Sequence, residues 1–169
     1  MGLTAKDTPM LKLYRFTDTR KEYWETWKER RGERIVHWGE LGTRGESRTV
    51  KTQGTDKAKD LIEAEAQAME EQGFAEIDID DHATLLVEYA IEGMGTRADM
   101  QKRHDLQDRL NETLGWTGLG HCDGGSIGSG TMEVCCFVVD FEAARQVIAN
   151  DLAGTKFGDY TRIFDEDAD

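Results

Sequence analysis

From Leu11 to Thr52 apolar and polar residues alternate in short runs. LKLYRFTD, EYWETWKE, RIVHW and SRTVKT are aromatic or β-branched at every second position and are separated by charged or glycine-bearing turns. That period of two predicts four strands. GTDKAKDLIEAEAQAMEEQGF then changes period: Ala58, Leu61, Ile62, Glu65, Ala68 and Met69 follow helical spacing, with Thr55 placed as N-cap and Gly73 as the residue after the helix. Four strands and a helix make a first domain, 1–75. The acidic stretch 76–83 breaks the pattern and reads as a linker.

A second domain, 84–164, is predicted in the order strand, helix, strand, strand, helix, strand. LLVEYAIEG is followed by TRADMQKRHDLQDRLNETLG, with Met100, Leu106, Leu110 and Leu114 inward. GLGHCD and TMEVCCFVVD flank the glycine-rich GGSIGSG, and FEAARQVIANDL and FGDYTRIF complete the order. This is the split βαβ, ferredoxin-like arrangement, an architecture that hosts unrelated activities. The expected class is therefore α+β: an antiparallel sheet with one helix, then a ferredoxin-like domain and an acidic tail, 165–169.

Charge sharpens the picture. The chain carries −13 overall, against a dedicated nucleic-acid binder, yet residues 1–55 hold 12 Lys+Arg to 8 Asp+Glu and the remainder 9 to 26. An anionic partner would meet the first third. No apolar run approaches a membrane span, the N-terminus lacks the apolar core of a signal peptide, and three cysteines without regular spacing suit a reducing compartment. A cytoplasmic protein without membrane contact is expected.

HWGELGTRGESRTVK carries most of the functional argument. If its strands pair with Trp38 opposite Ser47, then Arg34, Trp38, Thr49 and Lys51 share a face, with Arg44 at the loop tip. An indole beside cations can stack on a base or sugar while the cations follow the phosphates; equally, it can cap a small β-core. Residues 10–75, with W-G-x-hydrophobic-G-T-x-G, a Lys-bearing strand, a helix and Gly-aromatic in order, resemble a WGR domain. That family occurs in poly(ADP-ribose) polymerases and bacterial regulator-like proteins. The resemblance implies nucleic-acid binding, with Trp38 stacking and Arg34, Arg44, Arg48 and Lys51 as phosphate partners. The motif arginine is here Glu40, which adds a repulsive charge and leaves room for a protein partner instead.

Other groupings say less. His121, Cys122, Asp123, Cys135 and Cys136 lack metal-ligand spacing, so no metal and no cofactor are expected. GGSIGSG is followed by a strand rather than Lys and a helix, which makes it a hairpin and not a phosphate loop. With Val87, Tyr89, Val134, Cys136 and Val138 toward the helices, Glu88, Glu133, Cys135 and Phe137 would line the other face of the second sheet, joined by His121 or Asp123. That face is a candidate ligand or reactive site, or a packing surface. Arg103 sits on the apolar stripe of its helix, either snorkelling or neutralising Glu88 or Glu133. The resulting expectation is a non-catalytic module recognising nucleic-acid ends or single strands weakly. A small-molecule sensor or enzyme on the second sheet and a protein-interaction module are the alternatives.

Overall fold

The structure, a computed structural model, describes residues 10–51 and 57–168 and, within these, all side chains except those of Lys57 and Ala58. The chain is α+β and divides into two compact units between Ile77 and Asp78.

In the first unit β1 (Met10–Phe16), β2 (Lys21–Arg30), β3 (Glu33–Glu40) and β4 (Glu46–Lys51) form an antiparallel sheet in chain order, followed by α1 (Lys57–Glu71). The alternation does its work through Leu13, Trp24 and Val36, whose side chains fall on one face and bury against Ile62, Ala66 and Phe74, with Leu11, Trp38, Val50 and Met69 at the margin. The helix ends as its glycine demands. Gly73 adopts φ +99°, its N–H reaches Glu70 O (3.0 Å), and Phe74 N–H reaches Met69 O (3.1 Å), a Schellman closure that turns Phe74 into the core. The apolar stripe is narrower than the spacing suggested. Leu61 is 58% exposed and Ala68 is exposed, so Ile62, Ala66 and Met69 make the contact. Thr55 and the side chain of Ala58 lie outside the described residues.

The β3–β4 register corrects the sequence reading. Trp38 pairs with Glu46, not Ser47, which stands opposite His37. A slip of one residue reverses every face of the partner strand. Arg34, Val36 and Trp38 therefore share the α1 face with Arg48 and Val50, while Thr49 and Lys51 lie on the face away from α1 with Ile35 and His37.

In the second unit β5 (Ala83–Ala90), α2 (Arg97–Trp116), β6 (Gly120–Gly128), β7 (Thr131–Val138), α3 (Phe141–Leu152) and β8 (Arg162–Asp165) follow the expected order. The sheet runs β6-β7-β5-β8, antiparallel throughout. Thr96 and Asp99 cap α2 reciprocally, and Asp140 caps α3. Leu85, Val87 and Tyr89 of β5 and Met132, Val134, Cys136 and Val138 of β7 are buried with Leu106, Leu110 and Leu114 of α2 and Ile148 and Leu152 of α3. Met100, expected inward, is 47% exposed. Three boundaries differ from the sequence reading. The stretch 76–83 holds a 3-10 turn at Ile79–Asp81 and the first residue of β5. The glycine-rich segment is mostly strand, with a bulge between Cys122 and Gly125. Asp165 ends β8 and Glu166–Ala168 form a second 3-10 turn. Among the described residues no helix is long and apolar enough to cross a membrane.

Candidate nucleic-acid interface

The segment from Gly39 to Gly45 turns β3 into β4, and its glycines are required by close approach. A Cβ on Gly45, where φ is +59°, would sit 2.1 Å from Trp38 O and 2.6 Å from the Tyr23 hydroxyl; one on Gly39 would sit 2.7 Å from Gly45 Cα. Leu41 is buried at the centre of the turn, its N–H on Lys21 O at 2.8 Å, and Thr43 bonds Glu40 O through both N–H (3.0 Å) and hydroxyl (2.7 Å).

Beneath this turn, on the face away from α1, lies a polar chain that sequence reading missed. Glu25 on β2 pairs across the sheet with His37 on β3. Both are buried, at 4% and 1% exposure. Glu25 Oε1 accepts from His37 Nδ1 at 2.7 Å, and His37 Nε2 faces Arg44 O at 2.5 Å and the Tyr23 hydroxyl at 3.1 Å. Tyr23 in turn donates to Thr43 O at 2.7 Å. With oxygen acceptors at both ring nitrogens and the tyrosine proton already committed, the imidazolium is the form that satisfies every contact. Burial pushes His37 down, but the Glu25 hydrogen bond, the Arg44 carbonyl and the Glu25 charge outweigh it and hold His37 above the ordinary imidazole range. Burial, then the Glu25 charge, pushes the Tyr23 phenol up, which keeps it a donor. Two successive carbonyls of the turn, Thr43 and Arg44, are thus tied to the sheet, and the exposed Arg44 side chain projects from a fixed backbone. The signal in the sequence was a charged residue inside each of two aromatic strands, W-E-T-W and V-H-W.

The five predicted phosphate and stacking residues do not form one cluster. Trp38 is half-buried against the core margin. Arg48 is hydrogen-bonded to Glu65 on α1, and Lys51, on the opposite face, stands 3.9 Å from Glu33. The side chains of Arg34 and Arg44 make no ion pair or hydrogen bond with the described residues. Arg34 lines a cavity of about 590 Å³ between α1 and the sheet, together with Thr26, Lys59 and the acids Glu63, Glu70 and Glu76. Of the cations among the five, the two without an ion pair are therefore Arg44 at the loop tip and Arg34 beside the glutamates of a groove.

The face of the second sheet away from its helices brings together three of its four candidates, Glu88, Glu133 and Cys135. Glu88 and Glu133 stand directly opposite each other on β5 and β7, and Arg162 reaches Glu88 Oε2 from Nη2 (3.1 Å) and Nε (3.3 Å). Burial, then the charge and hydrogen bond of Glu88, raises the Glu133 carboxyl, against the opposing pull of Arg162. Cys135 stands two residues further along β7, opposite Leu86, and burial is the chief cause of its raised thiol, with Glu166 and Asp123 adding to it. His121 lies apart. It pairs with Phe137, ring centroids 5.7 Å apart, four residues along β7 from Glu133 or about 13 Å at strand rise. Arg103 neutralises neither glutamate: it makes no ion pair with them, and its Nε is buried without a hydrogen-bond partner. No group of three or more His, Cys, Asp and Glu side chains suited to a metal ion occurs among the described residues.

No family model, curated protein or solved structure matches this chain.

Proposed function

We propose that the chain is a non-catalytic binding module whose first unit recognises exposed nucleic-acid ends, with Arg44 as the leading phosphate contact and Arg34 as a second. The supporting observation is the clamp. Holding Thr43 O and Arg44 O lowers the ordering cost that a free glycine-rich loop would meet on binding, and the arginine it displays has no internal counter-charge. The resemblance of residues 10–75 to a WGR domain points the same way. Half-buried Trp38 contributes its exposed edge, beside a sugar or terminal base. Arg48 and Lys51 contribute less, since each already faces a glutamate, and Glu40 and Glu46 sit close by in the sequence. The reading therefore implies weak binding, in keeping with an overall charge of −13.

Fluorescence anisotropy with blunt duplex, nicked duplex, single-stranded and end-free circular DNA tests this at low salt. The expected order is ends and nicks first, single strands next, and closed circles last. Equal affinity for closed circles and blunt duplex would remove end recognition, and no binding to any of them would remove the nucleic-acid reading.

A further inference from the structure

Cys122 and Cys136 are paired by the fold of the second unit. They are direct cross-strand partners on β6 and β7, with Sγ atoms 3.0 Å apart and both thiols free. The pair is of the narrower, non-hydrogen-bonded kind. The Cys122 N–H goes to Asn111 Oδ1 at 3.1 Å instead of across the ladder, and Val139 N–H bonds Leu119 O at 3.0 Å three pairs along, which by alternation makes the pair at Cys122 and Cys136 a non-hydrogen-bonded one. Opposed residues of that kind bring their Cα atoms to about 4.5 Å, inside the span of roughly 4.4–6.8 Å that disulfides bridge. The third thiol is excluded by geometry. Cys135 precedes Cys136 on the same strand, so its side chain leaves the opposite face.

We propose that Cys122 and Cys136 are an oxidative modification site, closing to a cross-strand disulfide on exposure to a hydroperoxide. The roles differ. Cys122 is partly exposed and begins the bulge, so its sulfur is the one a small oxidant reaches; Cys136 is fully buried. The Cys122 sulfur, as thiolate, attacks one peroxide oxygen. The O–O bond breaks, the leaving oxygen departs as water or alcohol after taking up a proton, and Cys122 becomes a sulfenic acid. Cys136 sulfur then attacks the Cys122 sulfur. The S–O bond breaks, and the hydroxide released takes the Cys136 proton and leaves as water. Two thiols lose two electrons in total and one peroxide gains them. The bond would fasten β6 to β7 at the bulge and enclose the glycine-rich hairpin, a consequence separate from nucleic-acid binding by the first unit.

The test uses the full chain with Cys135→Ser, which leaves both proposed partners intact. The reduced protein is treated with hydrogen peroxide under native conditions, then denatured and alkylated, and its intact mass is measured. Cleavage after glutamate separates Cys122 from Cys136, because Glu133 lies between them. The expected result is a mass lower by two hydrogens, no alkylation, and a peptide pair joined through Cys122 and Cys136 that separates on reduction. The wild-type chain should give the same link and one alkylated cysteine, Cys135. Two thiols still alkylated, Cys122 over-oxidised without a link, or a wild-type link through Cys135 would each overturn the proposal.

Discussion

Replacing Glu25 with Gln removes one charge from the Glu25–His37 pair and keeps a carbonyl oxygen of similar reach toward Nδ1. At 4% and 1% exposure neither partner is screened by water. Deleting one member of a buried pair outright costs ~3–5 kcal/mol. Because Gln still accepts a hydrogen bond, the loss expected is the difference between a charge-assisted and a neutral bond, about 1–2 kcal/mol. The pH dependence carries the sharper signature. The folded state raises the His37 pKa, so its stabilisation is complete below the unfolded imidazole value, ~6.5, and fades as pH climbs through the raised folded value. In Glu25→Gln, burial acts on the imidazolium without the compensating charge and favours the neutral ring. The variant should therefore be most deficient on the acid side, and the gap should narrow as pH rises. Urea unfolding from about pH 5.5 to 8.5 measures it, followed by tryptophan fluorescence, which reports mainly on the first unit through Trp24, Trp27 and Trp38. A deficit constant across that range, or none at all, would refute the imidazolium clamp.

Three further outcomes follow from the packing. Trp38→Ala should cost about 2 kcal/mol in urea unfolding, roughly half the ~3–5 kcal/mol of a fully buried aromatic, because the indole packs only at the core margin; an unchanged midpoint would make Trp38 purely a contact residue. Glu40→Arg should raise affinity for blunt duplex by up to about thirtyfold, from ~1 kcal/mol at contact in water for each of the two charges changed, with the gain shrinking as salt rises, and an unaltered affinity would place Glu40 off the binding path. Glu133→Gln should stabilise the second unit at neutral pH, since Glu133 faces Glu88 directly. The expected size is near the low end of the ~0.2–1 kcal/mol of cross-strand pairs, with solvent and Arg162 screening the repulsion. Its raised pKa means that wild-type stability falls as pH rises through that value, so the gain should vanish in acid; a stabilisation independent of pH would contradict the paired-carboxyl geometry.

The order of elements was legible because period-two and helical patterns alternate cleanly along this chain and because Gly73 marks the end of α1 by local chemistry. What is not local was lost. Alternation shows that β3 and β4 have two faces but not where they meet. The offset is set by the crossing of Gly39 and Gly45, and a one-residue difference moved Lys51 to the far face and Arg48 beside Trp38. The Glu25–His37 bond depends on the β2–β3 pairing, so neither residue carries a signal alone. The same holds for Cys122 and Cys136, which the bulge after Cys122 brings into register. On the second sheet, face assignment by alternation succeeded for Glu88, Glu133 and Cys135. His121 shares their strand system but not their position along it.

The proposed role of the first unit is that its clamped loop offers Arg44 to the phosphates of a nucleic-acid end. Its most direct measurement is the salt dependence of blunt-duplex binding by wild type and Arg44→Ala, between roughly 50 and 200 mM salt. Each phosphate neutralised contributes about −0.9 to the slope of log affinity against log salt. With Arg34 and Arg44 as the contacts, wild type should give a slope near −2, and Arg44→Ala a weaker complex with a slope near −1. Identical slopes and affinities for the two proteins would contradict the claim.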